Sequence, residues 1–153
     1  MAKTSVTFIE LKITAKERYI CQIVEKLFNK NLRTTVYVAD KKAAFNLDNL
    51  LWNWKQESFV PHSIMNDPSM APEDPVIITS NESFPALTDA LILYDPLPVS
   101  KFEGYRYIID FAEIYDNTKL VESRKRYAAF LHKEEYELSF MQLGAFLNGQ
   151  NKK

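Results

Sequence analysis

"SVTFIELKITAKERYICQIVEKLFNKNLRTTVYVAD", residues 5–40, changes its hydrophobic period twice. "SVTFIEL" (5–11) is rich in β-branched and aromatic residues and reads as a first strand. "KERYICQIVEKLFNK" (16–30) spaces Ile20, Ile23, Val24 and Leu27 as one face of an amphipathic helix. "RTTVYVAD" (33–40) returns to a strand-like run, and "KKAAFNLDNLLWNWK" (41–55) to a second helix. Strand, helix, strand, helix in this order predicts an α/β domain with a mainly parallel sheet, because parallel neighbours need a helical crossover between them.

Further along, "VIITS" (76–80), "DALILYDPL" (89–97) and "YRYIIDFAE" (105–113) read as three more strands. "FVPHSIMNDPSMAPEDP" (59–75) holds four of the seven prolines and reads as a connection. "NTKLVESRKRYAAFLHKEE" (117–135) reads as the last helix, capped by Asp116 or Asn117, and "YELSFMQL" (136–143) as a closing strand. The expected organisation is one domain over residues 1–147 with a polar tail at 148–153, without internal repeats.

The composition narrows the function classes. Hydrophobic residues make up 46% and charged residues 25%, with a formal net charge of -1. A protein that wraps duplex DNA by itself usually carries a surplus of Lys and Arg, so contact with nucleic acid is expected to be indirect. No apolar run approaches the roughly 20 residues of a membrane span. The opening "MAKTSVTFIELKIT" shows no apolar signal core, so the expected location is the cytoplasm. Cys21, the single cysteine, offers neither an internal disulfide nor a metal-ligand spacing.

The parts of a catalytic site are missing. The three glycines, Gly104, Gly144 and Gly149, leave the turn after the first strand without the glycine loop that lets backbone amides approach phosphate. No cofactor is expected. Asp40 ends the second strand and reads as a helix cap. His62 and His132 are far apart and carry no ligand motif, and Cys21 sits beside an apolar helical stripe.

Two constellations stand above this background. In the second helix Phe45, Leu47, Leu50, Leu51 and Trp54 supply apolar positions, while Trp52 lies about 100° around the helix from Leu51. Trp52 is either a second core indole or a spare one at the surface. In "ESRKRYAAF" (122–130), Arg124, Lys125 and Arg126 are consecutive, and Arg124 shares a face with Tyr127, Leu120 and Leu131. That face is either a solvated basic surface or a seat for an acidic peptide with an apolar anchor.

"LDNLLW" followed by "ESFVPH", with "RKRYAAFLHKEEYEL" near the end of the chain, resembles the chi subunit of bacterial DNA polymerase III, over nearly the whole length. The resemblance implies a Rossmann-like three-layer α/β domain without nucleotide chemistry. It implies a non-catalytic replisome subunit that links the clamp loader, through the psi subunit or another clamp-loader component, to the acidic, phenylalanine-ended tail of single-stranded DNA-binding protein. By position it implies Arg124, Tyr127, Trp52 and Phe59 at the tail pocket, with the aromatic corner as one wall and the basic helix as the other. The family's additional basic positions read Leu120 and Ala128 here, and Lys119 and Lys125 stand as their substitutes. A different reading of the last helix is a direct single-stranded nucleic-acid-binding module that uses the three cations with aromatic stacking.

Overall fold

The computed structural model describes residues 3–54, 59–67, 69, 74–98 and 101–148. The expected polar tail beyond Asn148, and Glu57 and Ser58 of "ESFVPH", lie outside the described residues. Among the described residues seven strands and four helices follow in the order β1 (Thr4–Leu11), α1 (Lys16–Asn29), β2 (Thr34–Tyr37), α2 (Lys41–Asn53), β3 (His62–Ile64), β4 (Val76–Thr79), β5 (Ala90–Leu93), β6 (Tyr107–Glu113), α3 (Asn117–Leu131), β7 (Tyr136–Gln142) and α4 (Leu143–Leu147). The sheet order is β3-β4-β2-β5-β6-β1-β7, and each of its six pairings is parallel.

Strand alternation sorts the core into two layers. Ile9 and Leu11 of β1, Val36 of β2 and Ile109 and Phe111 of β6 point to one face. There they meet Ile20, Ile23, Val24 and Leu27 of α1 and Ala44, Leu47 and Leu51 of α2. Val6 and Phe8 of β1, Tyr37 of β2 and Ile108 of β6 point to the other face, beneath Phe130 of α3 and the loop residues Phe102 and Tyr105. The first face is the larger core and carries α1 and α2; the second carries α3. This is the α/β domain with a parallel sheet expected from the period changes, in the three-layer form that the resemblance implies.

Local chemistry explains most element ends. Asp40 caps α2 by accepting from the Ala43 N–H at 2.8 Å, as expected. Asp116 is the cap of α3 and accepts from the N–H groups of Thr118 and Lys119. β2 and β5 are shorter than the runs 33–40 and 89–97, and the chain differs from the sequence expectation in three further places. α3 stops at Leu131 rather than 135, since the charged run after it has no apolar residue to hold it on the sheet. The proline-rich connection contains a three-residue strand, β3, paired with β4 and too short for a period to show. A single helical turn or so, α4, follows β7.

Candidate functional site

On α3 the three consecutive cations separate by function, because each residue turns the helix by about 100°. Arg126 faces inward. Its Nε donates to Asp110 Oδ2 at 2.7 Å, and its terminal nitrogen donates to Asp110 Oδ1 and to the Phe111 carbonyl, both at 3.1 Å. Burial pushes the Asp110 carboxyl above its ordinary range, against the pull of the Arg126 guanidinium and the Phe111 N–H. Arg126 therefore clamps α3 to β6. Lys125 is exposed and sits 3.5 Å from Glu122. Arg124 points outward and has no ion-pair partner among the described residues.

Beside Arg124 opens a cleft of about 380 Å³. Its walls are Phe8 of β1, Ile114 after β6, Leu120 and Tyr127 of α3, and Phe140 of β7. Tyr127 is half-buried and meets the Phe8 ring edge-on at 5.2 Å, which sets the floor. Phe140 is 52% exposed and leaves the mouth open. One free guanidinium at the rim of an apolar slot can hold a carboxylate next to a buried hydrophobic anchor. Arg124 and Tyr127 come together here as the sequence indicated. Leu120, where the family pattern has a cation, is an apolar wall. Phe8, Ile114 and Phe140 are distant in sequence, and no local pattern points to their convergence.

Lys119 belongs elsewhere. Its ammonium lies 3.5 Å from the Tyr115 hydroxyl and 3.7 Å from Glu113. The same carboxylate accepts from Tyr115 at 2.6 Å and from Lys16 at 2.9 Å, and Lys16 also donates to the Tyr94 carbonyl at 2.8 Å. Burial alone pushes the Glu113 carboxyl up, but the bonds from Tyr115 and Lys16 outweigh it and hold the group below its usual range. This cluster occupies the carboxyl ends of β1 and β6, the region where open α/β sheets receive ligands. Here Lys16 and Lys119 both face the one Glu113 carboxylate. Neither Lys119 nor Lys125 lines the cleft beside Arg124.

The two tryptophans have different fates. Trp54 packs partly against the α1–α2 core. Trp52 is 48% exposed and Phe59 67% exposed, with ring centroids 5.8 Å apart. Phe45, counted above among the apolar positions, is 59% exposed; seven residues before Trp52, it falls almost above it on the helix. Trp52 also rests on the buried His62 ring at 4.3 Å. His62 is fixed by contacts of its Nδ1 to the Val60 carbonyl at 2.7 Å and of its Nε2 to Asp48 Oδ1 at 3.3 Å.

These aromatics do not form a wall of the Arg124 cleft. α2 contacts β3 and β4, whereas α3 contacts β6 and β7. β3 and β6 are four strand spacings apart, roughly 20 Å, and the two helices cover opposite faces. The expectation of one pocket with two walls is thus corrected to two separate surfaces. Sequence spacing carries no information about which end of the sheet a helix covers. Among the described residues no cluster of three or more His, Cys, Asp or Glu suits a metal ion, and no helix is long and apolar enough to cross a membrane.

A model of the DNA polymerase III chi subunit, HolC, matches residues 3–139. The chain is 27% identical over 107 residues to the probable DNA polymerase III subunit chi of Rickettsia prowazekii (strain Madrid E), spanning 69% of this chain and 64% of that one, a little under two thirds of the relative's length. It is 25% identical over 118 residues to DNA polymerase III subunit chi of Escherichia coli (strain K12), spanning 77% and 80%. Among solved structures it superposes on S. cerevisiae Dbp5 L327V bound to RNA and ADP BeF3, with a TM-score of 0.61 at 13% identity over 95% of this chain and 42% of that one. The C-terminal domain of the DEAD-box protein Dbp5 gives 0.53 at 15% identity, over 95% and 92%. At such identities the likeness is one of fold alone.

Proposed function

Because the chain belongs to the DNA polymerase III chi subunit family, whose members are non-catalytic accessory subunits of the replisome, we propose that it is a two-sided adaptor. The cleft beside Arg124 takes the acidic, phenylalanine-ended tail of single-stranded DNA-binding protein. The exposed patch of Phe45, Trp52 and Phe59 takes the psi subunit or another clamp-loader component. The observation that carries this reading is the pairing of a guanidinium, unmatched among the described residues, with an apolar slot, at the far end of the sheet from a second exposed aromatic surface. Two surfaces on opposite faces are what a tether needs, since both partners can be held at once.

The slot accepts the terminal ring, and Arg124 meets a carboxylate. Charge pairs at an exposed rim are individually weak and screened by salt, so the buried ring supplies much of the affinity. Binding is expected to be modest and salt-sensitive. Direct binding of single-stranded nucleic acid finds less support, since Arg126 is spent on Asp110 and Lys125 faces Glu122.

The test is fluorescence anisotropy with a labelled acidic peptide ending in phenylalanine. Removal of that phenylalanine, Arg124→Ala and Tyr127→Ala are each expected to weaken binding. Trp52→Ala is expected to leave it unchanged while abolishing co-elution with the clamp-loader component. Absence of binding by the intact peptide at low salt, or tight binding of single-stranded DNA without any tail, overturns the proposal.

A further inference from the structure

Among the described residues β7 is the outermost strand on its side of the sheet and pairs only with β1. The Thr4 N–H donates to the Glu135 carbonyl at 2.9 Å, and Thr4 is in register with Tyr136. In a parallel pair this turns the backbone groups of Glu137, Ser139 and Met141 toward β1 and leaves those of Leu138 and Phe140 on the open edge. Exposed edges are ordinarily blunted by proline, lysine, a bulge or shortness. The opposite edge strand, β3, has only three residues and follows Pro61. β7 has seven residues, no proline, no lysine, a single charged residue, Glu137, and an unbroken register.

Both faces of this edge are also open. On one side Phe140 borders the Arg124 cleft. On the other a second cavity, about 590 Å³, lies between β7, β1 and the carboxyl end of α1. Its lining includes Thr7, Glu137, Ser139, Met141, Lys26 and Lys30. Among the described residues α4, five residues long, covers only part of the sheet there. Lys26 donates to the Leu147 carbonyl at 2.8 Å, whereas Lys30 has no bonded partner among the described residues. Cations therefore stand on both faces of the edge, Arg124 on one and Lys26 and Lys30 on the other, where Glu137 of β7 is the one acid in the lining and Lys30 the cation left to answer a partner's carboxylate.

We infer that the β7 edge accepts an eighth strand, and that its occupant is the acidic extended segment preceding the terminal phenylalanine of the tail. This rests on the adaptor reading above and extends it from a ring socket to a backbone-paired segment. Strand addition of this kind takes affinity from main-chain hydrogen bonds and specificity from pockets for alternate side chains. Successive residues of the added strand point to opposite faces, so alternate carboxylates meet Arg124 on one side and Lys26 and Lys30 on the other. A second copy of the chain would instead bring two such sets of cations together, which disfavours self-pairing.

The test is amide hydrogen exchange on the full chain, with and without a saturating acidic peptide ending in phenylalanine. Two further peptides carry N-methyl groups at alternate backbone positions, one for each register. Leu138 and Phe140 amides are expected to slow by about tenfold or more, with Ser139, already turned toward β1, unchanged. One N-methyl series should lose about tenfold or more in affinity and the other keep it. If the plain peptide binds, yet these amides are unaffected and both N-methyl series bind alike, the strand inference falls and the tail reading stands. If the plain peptide does not bind, the tail reading fails and takes the inference with it. Protection of the same amides by concentration-dependent dimerisation without peptide assigns the edge to a second copy and overturns the proposal.

Discussion

Arg124→Ala and Arg126→Ala, two residues apart on α3, are expected to fail in different assays. Arg126 makes a two-pronged contact with Asp110 at 2.7 and 3.1 Å and a third bond to the Phe111 carbonyl, while Asp110 itself is 2% exposed. Truncating Arg126 leaves that carboxylate with the Phe111 N–H at 2.7 Å as its remaining bonded partner. Removing one member of a buried pair costs about 3–5 kcal/mol. At roughly 2–4 °C per kcal/mol for a domain of this size, the melting temperature falls by about 6–20 °C. The carboxyl escapes part of this by taking up a proton, because burial is then less opposed; the deficit shrinks as pH is lowered. Asp110→Asn on the Arg126→Ala background should recover part of the loss, since the amide buries no charge. Arg124→Ala touches no ion-pair partner among the described residues and should change stability by less than about 0.5 kcal/mol. It should weaken tail-peptide binding by about 1–2 kcal/mol, roughly 5- to 30-fold. Urea and thermal melts paired with peptide anisotropy read both effects. An Arg126→Ala protein that melts within about 2 °C of the parent, or an Arg124→Ala protein that melts as low as Arg126→Ala, refutes the division of labour on α3.

The Glu113 cluster and the Gly104 turn give two further tests. Glu113 is held below its ordinary range, so its contribution is complete above the unfolded carboxylate value of about 4.3 and is lost as pH falls through the depressed folded value. The stability difference between the parent and Glu113→Gln, from urea melts, should stay flat near neutrality and narrow below about pH 4; a difference that grows on acidification contradicts the network. Gly104 has φ +100°, and a Cβ there would stand 2.9 Å from the Ala86 Cβ. Gly104→Ala should cost about 1–3 kcal/mol, with Ala86→Gly relieving only the steric part; an unchanged urea midpoint refutes it.

The architecture was legible because parallel α/β packing imposes local periods. Ile20, Ile23, Val24 and Leu27 announce α1 without reference to any other segment, and the buried runs of β4 and β5 do the same for strands. β3 and α4 escaped because three and five residues are too few for a period to emerge. Part of the candidate site was legible for the same local reason: Arg124 and Tyr127 are one helical turn apart, so their shared face follows from the helix alone. Phe8 of β1, Phe140 of β7 and Ile114 just after β6 complete the cleft, brought together only by the sheet.

The sequence by itself determined the alternation of strand and helix, the family resemblance and the polar–aromatic face of α3, since each depends on neighbours along the chain. Only the tertiary structure decided which tryptophan is core, which arginine is spent on Asp110, and that Trp52 and Arg124 lie at opposite ends and on opposite faces of the sheet. Those outcomes depend on strand order and on which face each helix covers. Two helices with similar patterns read alike in sequence, and the long-range pairing of β1 with β6 and β7 sets where each is seated.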